Sequence, residues 1–292
     1  MPELPEVETI RRGLERLIIG KRITAAHQID SPKSFPNSPA DVRNFLVGAT
    51  ITTVRRRAKV LLIELSTGYT LAVHLKMTGQ LVYVGSERWG GGHPSDSLVG
   101  SLPDRFTRVV LDFTDDSHLY FNDLRKFGWL KLFPTLEVPN IDFMKKVGPE
   151  PLEPSFTAAE FIPRMRRRNN TTIKAAILDQ TVLAGVGNIY ADESLWGAKI
   201  HPAMRVKNVS DEQLAVLLEQ IKYVMELSLQ YGGSTDKNYV DAEGNKGSYL
   251  KFANVFRREG QICPRCGGVI IKRRVAGRGT HVCPVCQVEE QL

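Results

Sequence analysis

Cysteine is scarce in this chain: four of 292 residues, all between positions 263 and 286. A disulfide framework spread over a secreted protein is therefore excluded. No apolar run approaches the roughly 20 residues that a membrane-spanning helix needs. Residues 1–6, Met-Pro-Glu-Leu-Pro-Glu, lack the apolar stretch of a secretory signal. These absences predict a protein of the reducing cytoplasm with no membrane partner.

The four cysteines form two C-x-x-C pairs, Cys263 with Cys266 and Cys283 with Cys286, with sixteen residues between the pairs. Thiolates at this spacing are typical of a tetrahedral zinc site, and four protein ligands leave no coordination position open for a substrate. We therefore expect one structural Zn²⁺ ion. Two disulfides are the alternative, and they suit a reducing compartment less well.

The segment between the two pairs is strongly basic. Residues 269–282 read as two short β-strands joined by a Gly-containing turn. From Lys251 to Val282 there are eight Lys or Arg residues and one Glu, a local charge of +7 that equals the net charge of the whole chain. A basic hairpin held by a metal fits the phosphates of nucleic acid. A solvated basic surface on a structural zinc module is the alternative.

Hydrophobic periodicity divides the chain into a β-rich first part and a helical second part. The chain is long enough for two domains. A helix is predicted over residues 5–17, and the Gly/Ser/Pro-rich residues 85–103 are predicted to form a mobile loop. Capping boxes at residues 157–160 and 210–213 indicate helices in the second part. Strands are predicted over residues 51–57, 60–65, 70–75, 80–84, 108–113, 118–121 and 129–133. A β-sandwich or barrel followed by helices is the expected fold.

Pro2 is the first candidate for chemistry. Methionine before a small residue such as proline is normally removed, which leaves a secondary amine at the N-terminus. The pKa of an α-amino group is about 8, against about 10.4 for lysine, so more of it is an unprotonated nucleophile at neutral pH. Attack on a sugar C1′ would give a cationic iminium that promotes elimination of neighbouring phosphates, and Glu3 could act as general acid or base. A Met-Pro start without a catalytic role is the alternative.

Further motifs follow one another along the whole chain. The first is residues 1–9, Met-Pro-Glu-Leu-Pro-Glu-Val-Glu-Thr, and the last is the four-Cys finger. Between them stand Arg57-Ala-Lys59, His74-Leu-Lys-Met77-Thr-Gly79, Arg125-Lys-Phe127-Gly128, Gly148-Pro-Glu-Pro-Leu152, Ala184-Gly-Val-Gly-Asn188-Ile-Tyr-Ala-Asp-Glu193 and Gly232-Gly-Ser-Thr235. In this combination and order the chain resembles formamidopyrimidine-DNA glycosylase, the bacterial enzyme that excises oxidised purines.

The resemblance assigns chemistry to the matching positions. It implies that Pro2 is the Schiff-base nucleophile, that Glu3 is the acid that helps to open the sugar ring, and that Glu6 supports the lesion site. Lys59 would contact a phosphate and assist β-elimination, although simple attraction of phosphate by this basic segment is the alternative. Arg278, in the turn of the zinc hairpin, matches the arginine that lies on the phosphate near the lesion and is linked to δ-elimination.

Met77, Arg125 and Phe127 match the three residues that fill the space left in the duplex when a base is flipped out. A thioether and an aromatic ring can wedge into the base stack. Arg125 can hydrogen-bond the orphaned partner base, which favours cytosine. Taken by themselves, Met77 and Phe127 would more often be core residues.

The resemblance implies further contacts with DNA. Asn188 follows Gly185-Val-Gly187 at the start of a helix, where the N-terminus attracts phosphate. This helix is expected to belong to a helix–two-turns–helix element. His74 takes a DNA-binding position. Lys237, within the Gly-rich residues 232–247, takes a lesion-contacting position in the loop that caps a flipped 8-oxoguanine.

Four segments depart from the family pattern. The void-filling segment reads Asn-Asp-Leu-Arg-Lys-Phe in place of Asp-Pro-Arg-Arg-Phe, although its Arg and final Phe are retained. Phe106 replaces a histidine that contacts DNA, Asn169-Asn170 replace a basic contact, and Phe256 begins a Phe-Arg-Arg run where Tyr-Gly-Arg is usual. These departures weaken individual phosphate contacts and leave the catalytic groups in place.

The implied architecture is an α+β multidomain protein. Residues 1–134 would form an N-terminal catalytic β-sandwich domain, and residues 135–153 a linker. Residues 154–250 would form a helix–two-turns–helix DNA-binding domain with the lesion-capping loop. Residues 251–292 would form the zinc finger on its β-hairpin. DNA would bind in a basic cleft between the domains.

The implied function is a bifunctional DNA glycosylase/AP lyase of base excision repair. It would act on damaged double-stranded DNA as a monomer in the bacterial cytoplasm, remove 8-oxoguanine and formamidopyrimidines, and cut the strand by β,δ-elimination. An endonuclease VIII-type enzyme for oxidised pyrimidines is one alternative, but Leu4-Pro5 in place of its Gly-Pro and the complete void-filling set argue against it. A non-catalytic zinc-finger protein that senses damage is the other, and it would not need Pro2 as a free terminus.

Overall fold

The computed structural model describes residues 2–234 and 249–289. Packing divides them into two compact units. The first unit holds the residues up to Lys145 together with residues 231–234, and the second holds residues 146–230 and 249–289. The finer division into four segments stays a prediction. Among the described residues, no helix is long and apolar enough to cross a membrane.

Helix α1 (Leu4–Ile18) opens the first unit, and it confirms the helix predicted over residues 5–17. Two acidic residues form its capping box. The Glu6 carboxylate accepts the backbone N–H of Glu3 at 2.8 Å, and the Glu3 carboxylate accepts the backbone N–H of Glu6. Its buried apolar stripe consists of Val7, Ile10, Leu14 and Leu17. The helix is therefore fixed both at its first turn and along its inner face.

Two antiparallel sheets make up most of the first unit. The strands are β1 (Ile23–Gln28), β2 (Ile51–Arg57), β3 (Val60–Leu65), β4 (Tyr69–His74), β5 (Gly79–Val84), β6 (Arg88–Gly92), β7 (Thr107–Phe113), β8 (His118–Asp123) and β9 (Trp129–Pro134). One sheet has the order β1-β7-β8-β5-β6 and the other β2-β3-β4-β9. Buried side chains from both sheets and from α1 form one apolar cluster. The predicted β-sandwich is confirmed, and the barrel is excluded for these strands.

Residues 85–103, predicted to be a mobile loop, contain ordered structure. Strand β6 pairs with β5, and a short 3₁₀ helix spans Asp96–Leu98. Trp89 of β6 is only 4% exposed and packs against Gly13 of α1, where an added Cβ would lie 2.1 Å from the indole. Glycines usually interrupt regular structure, but those of this segment allow close approach of β6 to its neighbours. Strand β1 was not predicted at all.

The second unit is helical, with one β-hairpin near its end. Its helices are α4 (Ala158–Arg166), α5 (Ile173–Leu178), α6 (Asn188–Gly197) and α7 (Asp211–Gln230); the short α2 (Pro39–Asp41) and α3 (Asp142–Lys146) precede them in the chain. Strand β10 (Ile271–Val275) pairs antiparallel with β11 (Arg278–Val282). The predicted capping box at residues 210–213 is confirmed by bonds of 2.9 and 3.2 Å between Ser210 and Gln213. The one at residues 157–160 is wrong, since Thr157 takes the N-cap position without a side-chain hydrogen bond.

Candidate active site and nucleic-acid interface

The N-terminal turn is held inside the first unit. Pro2 is buried, Glu3 is 3% exposed and Glu6 is 6% exposed. Besides the backbone of Glu3, the Glu6 carboxylate accepts the backbone N–H of Ser234 at 2.8 Å. Gly233 takes a left-handed conformation (φ 93°) beside the Glu6 side chain. Chain termini usually fray, so these contacts give Pro2 and Glu3 a defined position that a reacting group requires.

Lys59 and His74 lie together at paired ends of β3 and β4. Lys59 is 5% exposed and directly precedes Val60, which pairs with His74. Burial, with the charges of Lys76 and Lys59, lowers the pKa of His74 to about 3. Its Nδ1 accepts the backbone N–H of Lys76 at 3.1 Å, so the neutral ring carries its proton on Nε2. A neutral N–H donor beside a lysine can bind a phosphate oxygen without adding a titrating charge.

Three of the predicted site residues directly follow a non-glycine residue in left-handed backbone conformation. A non-glycine residue in this region costs on the order of 1–3 kcal/mol and is enriched at functional sites. The three positions are Ala58 before Lys59 (φ 52°), Lys76 before Met77 (φ 52°) and Lys126 before Phe127 (φ 57°). None of the three is a residue type that signals this conformation, so the sequence offered no indication of it.

The three residues predicted to fill the void, Met77, Arg125 and Phe127, lie exposed on two turns. Met77 is 41% exposed and Phe127 is 54% exposed, so neither is a core residue. Arg125 is also exposed, and its guanidinium carbon lies 4.8 Å from the centroid of the Phe127 ring. A thioether and an arginine–aromatic pair are therefore exposed on these two turns. This arrangement suits insertion into a base stack.

A buried carboxylate, Asp123, ties the two turns together. It stands at the end of β8, is 0% exposed, and accepts hydrogen bonds from the Thr78 hydroxyl, the Arg125 backbone at 3.1 Å and the Gly128 backbone at 2.7 Å. The Arg125 N–H also reaches the Thr78 hydroxyl at 3.0 Å. These hydrogen bonds therefore connect the turn with Met77 to the turn with Arg125. Neither Asp123 nor Thr78 was given a role from the sequence, because an aspartate before a turn has no distinctive sequence pattern.

In the second unit, the start of α6 contacts the finger hairpin. The Asn188 side chain donates to the Gly279 carbonyl at 2.9 Å. Lys174 donates to the same carbonyl at 3.3 Å and to the Asp192 carboxylate at 2.6 Å. Gly279 directly follows Arg278, the exposed first residue of β11. The backbone beside Arg278 is thus held by two side chains, and its guanidinium extends from a fixed strand.

Two acidic residues of α6 secure the finger and were not predicted from the sequence. Glu193, 1% exposed, accepts backbone N–H groups of Val255 and Phe256 at 2.8 Å each. Burial raises the pKa of Glu193, although these hydrogen bonds oppose the rise. Asp192 accepts the backbone N–H of His281 at 2.9 Å. The finger is therefore bonded to the helix that carries Asn188.

The four cysteines converge. Their Sγ atoms all lie within 4.8 Å of one another, with 3.8 Å between Cys263 and Cys286 and 3.4 Å between Cys266 and Cys283. Zn–S bonds of about 2.3 Å in a tetrahedron require S–S distances of about 3.8 Å. Burial and the neighbouring sulfurs raise the pKa of the Cys286 thiol to about 12, so the cluster deprotonates fully only around a cation. The donor set fits one zinc ion.

Two of the four departures from the family pattern, Phe106 and Phe256, make ring contacts in this structure. Phe106 lies under the Arg105 guanidinium at 4.6 Å, and Phe256 packs edge-on against His281 with 5.1 Å between ring centroids. Lys237, the predicted lesion contact, lies outside the described residues. All other predicted site residues are described. Seven of them and Pro2 lie in the first unit, and the second unit holds Asn188, Arg278 and the four cysteines.

Three family models match consecutive parts of the chain. The N-terminal domain of formamidopyrimidine-DNA glycosylase matches residues 1–130, the H2TH domain of formamidopyrimidine-DNA glycosylase matches residues 147–239, and the zinc finger found in FPG and IleRS matches residues 260–288. With the finger matched and its sulfurs together, the four cysteines hold one structural zinc ion.

Relatives match over the full length. A formamidopyrimidine-DNA glycosylase of Herpetosiphon aurantiacus is 42% identical over 288 residues, 98% of this chain and 100% of the relative. A Lactococcus lactis FPG mutant, solved with Fapy-dG containing DNA, has a TM-score of 0.87 at 34% identity and covers 99% of this chain and 100% of its own. A MutM structure with carbocyclic 8-oxo-G containing DNA has a TM-score of 0.86 at 33% identity, again with 99% and 100% coverage.

Proposed function

Because the chain belongs to the formamidopyrimidine-DNA glycosylase family and is therefore a DNA glycosylase of base excision repair, we propose that it removes 8-oxoguanine and formamidopyrimidines through a Schiff base on Pro2. The observation that supports this most directly is the N-terminal turn, in which the Glu6 carboxylate accepts N–H groups of Glu3 and Ser234 at 2.8 Å each. The lesions named with the solved DNA complexes, Fapy-dG and carbocyclic 8-oxo-G, support the purine substrate class.

In the proposed reaction, the unprotonated Pro2 amine adds to C1′ of the damaged nucleotide and displaces the base, and the proton that the amine loses neutralises the departing base. Glu3 donates a proton to the ring oxygen O4′, so that the C1′–O4′ bond breaks and an iminium forms between the proline nitrogen and C1′. Removal of a C2′ proton sends electrons to the iminium, and the 3′ phosphate leaves. A second elimination releases the 5′ phosphate, and hydrolysis frees Pro2.

Three groups would bind the phosphates. Lys59 and neutral His74 form one set, in which the lysine charge contributes to the lowered pKa of the imidazole, and Arg278 forms the other. Fixed cationic and N–H donors stabilise a developing phosphate charge without reorganisation. The zinc ion supplies no reacting group, because four Cys ligands leave no open position. It holds the hairpin that carries Arg278.

The proposal also covers the binding partner and the cellular compartment. Damaged double-stranded DNA is the partner, bound by a monomer in the bacterial cytoplasm. Support comes from the bacterial relatives and from the DNA complexes of the solved neighbours. Lys237 is proposed as a lesion contact on the resemblance alone.

Trapping with borohydride tests the proposal. On a duplex with 8-oxoguanine opposite cytosine, reduction of the iminium should link the protein covalently to DNA, and peptide mapping should place the link on residue 2. An undamaged duplex of the same sequence serves as the control and should give no cross-link. A link mapped to Lys59, or strand cleavage without any trapping, would contradict the Pro2 mechanism.

Arg125 is proposed to read the base opposite the lesion. Its planar fork can bind O2 and N3 of cytosine, and a bidentate contact of this kind is worth about 1–3 kcal/mol, roughly tenfold to a hundredfold. Single-turnover excision should therefore be faster opposite cytosine than opposite adenine, and Arg125→Ala should reduce that ratio toward one. Arg125→Lys is the matched variant, since it keeps the charge and loses the fork. If Arg125→Lys keeps the full ratio, charge rather than the bidentate contact governs the preference.

A further inference from the structure

An arginine pocket lies in the second unit, outside the residues assigned above. It has a volume of about 90 Å³ and is lined by Arg164, Arg167, Arg168, Thr181 and Val182. The arginines stand at and just after the end of α4, and the other two residues belong to the turn between α5 and α6. A cavity of this size holds a small ion with its first waters. Its lining is dominated by guanidinium groups.

The charges of the arginine pocket are only partly compensated. Arg168 pairs with Asp179 at 2.8 Å and donates to the Thr181 hydroxyl at 3.2 Å. Among residues 2–234 and 249–289, the side chains of Arg164 and Arg167 make no hydrogen bond or ion pair. Three guanidinium groups and one carboxylate leave a charge of +2. Converging like charges repel one another unless an anion lies between them.

A neighbour on the same helix, Arg166, makes structural contacts of the kind that Arg164 and Arg167 lack among the described residues. Arg166 donates to the carbonyls of Val206 and Val209 at 2.8 Å each and pairs with Asp211. That arginine joins α4 to the start of α7. Arg164 and Arg167 make no such connection among the described residues, so their guanidinium groups can bind a ligand. A guanidinium presents paired N–H groups that match the oxygens of a phosphate.

We infer that the arginine pocket binds a backbone phosphate of duplex DNA. The inference rests on the proposed function, and it extends that function to a contact away from the lesion. The turn with Thr181 connects α5 to α6, the helix that begins at Asn188. A phosphate contact carries no base information, so it strengthens binding to damaged and undamaged DNA alike. A free phosphate ion has the same chemistry, and the experiment separates the two sources.

The test is the salt dependence of binding. Kd is measured between 50 and 200 mM salt on a duplex with a tetrahydrofuran abasic analogue and on the undamaged duplex. Each phosphate contact contributes about 0.9 to the slope of log Kd against log salt concentration. Arg167→Ala should lower the slope by about that amount on both duplexes and raise Kd on the order of threefold to tenfold at 0.1 M salt. Arg43→Ala, the same charge change at an exposed arginine of the first unit, should change neither.

Each measurement has a result that would contradict the inference. If wild-type protein is trapped by borohydride and Arg167→Ala keeps the full slope and Kd, the arginine pocket does not contact DNA, while the proposed function stands. If the wild type is not trapped, the proposed function fails by itself. If inorganic phosphate binds in an Arg167-dependent manner without any change in the DNA slope, the pocket is a free-anion site and the DNA assignment is overturned. Arg164→Gln repeats the test with a half-buried neighbour, and thermal unfolding confirms that each variant is folded.

Discussion

Replacing Glu3 with glutamine should slow release of 8-oxoguanine by about 100- to 10,000-fold, the range that a positioned general acid contributes. Glutamine has the same shape and still accepts a hydrogen bond at the start of α1, but it cannot give a proton to O4′. Schiff-base formation on a duplex with a preformed abasic site should persist, because the open-chain aldehyde needs no ring opening. The measurement is single-turnover base release beside borohydride trapping on the abasic duplex.

Glu15→Gln is the matched control for Glu3→Gln. Glu15 lies on the same helix and pairs with Arg11 at 2.9 Å, with its side chain 49% exposed. This variant should keep both activities. Equal loss of both activities in Glu3→Gln would mean that Glu3 acts only by shaping the turn around Pro2. Unchanged base release would mean that another group supplies the proton.

Loss of zinc should remove most DNA affinity while the β-sandwich stays folded. The finger has a small apolar cluster, formed by Val255 and Ile270 with Cys263 and Cys283. A segment this short does not fold on such a core, and structural zinc supplies about 10–16 kcal/mol of binding free energy that is also folding free energy. Cys263→Ser should therefore lower bound zinc from one ion per chain to none. Loss of the basic hairpin should raise Kd on the order of tenfold to a hundredfold.

Arg278→Ala removes a charge of the hairpin without removing a zinc ligand, so it tests the charge and the fold separately. This variant should keep one zinc per chain and lose strand cleavage at the δ step, whereas Cys263→Ser should lose zinc, affinity and cleavage together. Zinc content by a colorimetric chelator, Kd and product ends on a gel are the three readouts. A zinc-free protein with wild-type Kd would show that the finger has no role in binding.

The sandwich was predictable because its strands obey a local rule. Residues 51–57 and 60–65 alternate or run apolar between turn residues, and β2 and β3 have those same bounds. Strand β6 was missed because Trp89 stands among glycines, whose local preference is for turns. Its place comes from the indole that packs over Gly13, a contact between distant parts of the chain. Local patterns carry no information about such pairs.

The site residues show the same difference between local sequence patterns and contacts made by the fold. The cysteines could be assigned from residue type and short spacing, whereas the predicted roles of Pro2 and Glu3 needed the family resemblance as well. Asp123 was missed because an aspartate before a turn has no distinctive sequence pattern, and its role depends on three donors that the fold brings to it. The left-handed conformations at Lys76 and Lys126 are likewise imposed by tertiary structure against the residue's own preference.

The hydrogen bond from Ser234 to Glu6 joins residues 228 positions apart, and this has a consequence for biosynthesis. A ribosome delivers α1 first, but the donor for the Glu6 carboxylate emerges only near the end of translation. At about 5–20 residues per second, the interval is on the order of 10 to 50 seconds. The N-terminal amine is thus exposed to its processing enzyme, which must remove Met1, well before its surroundings are complete. If Pro2 is the nucleophile, as proposed, its surroundings are completed only when the later part of the chain has been synthesised.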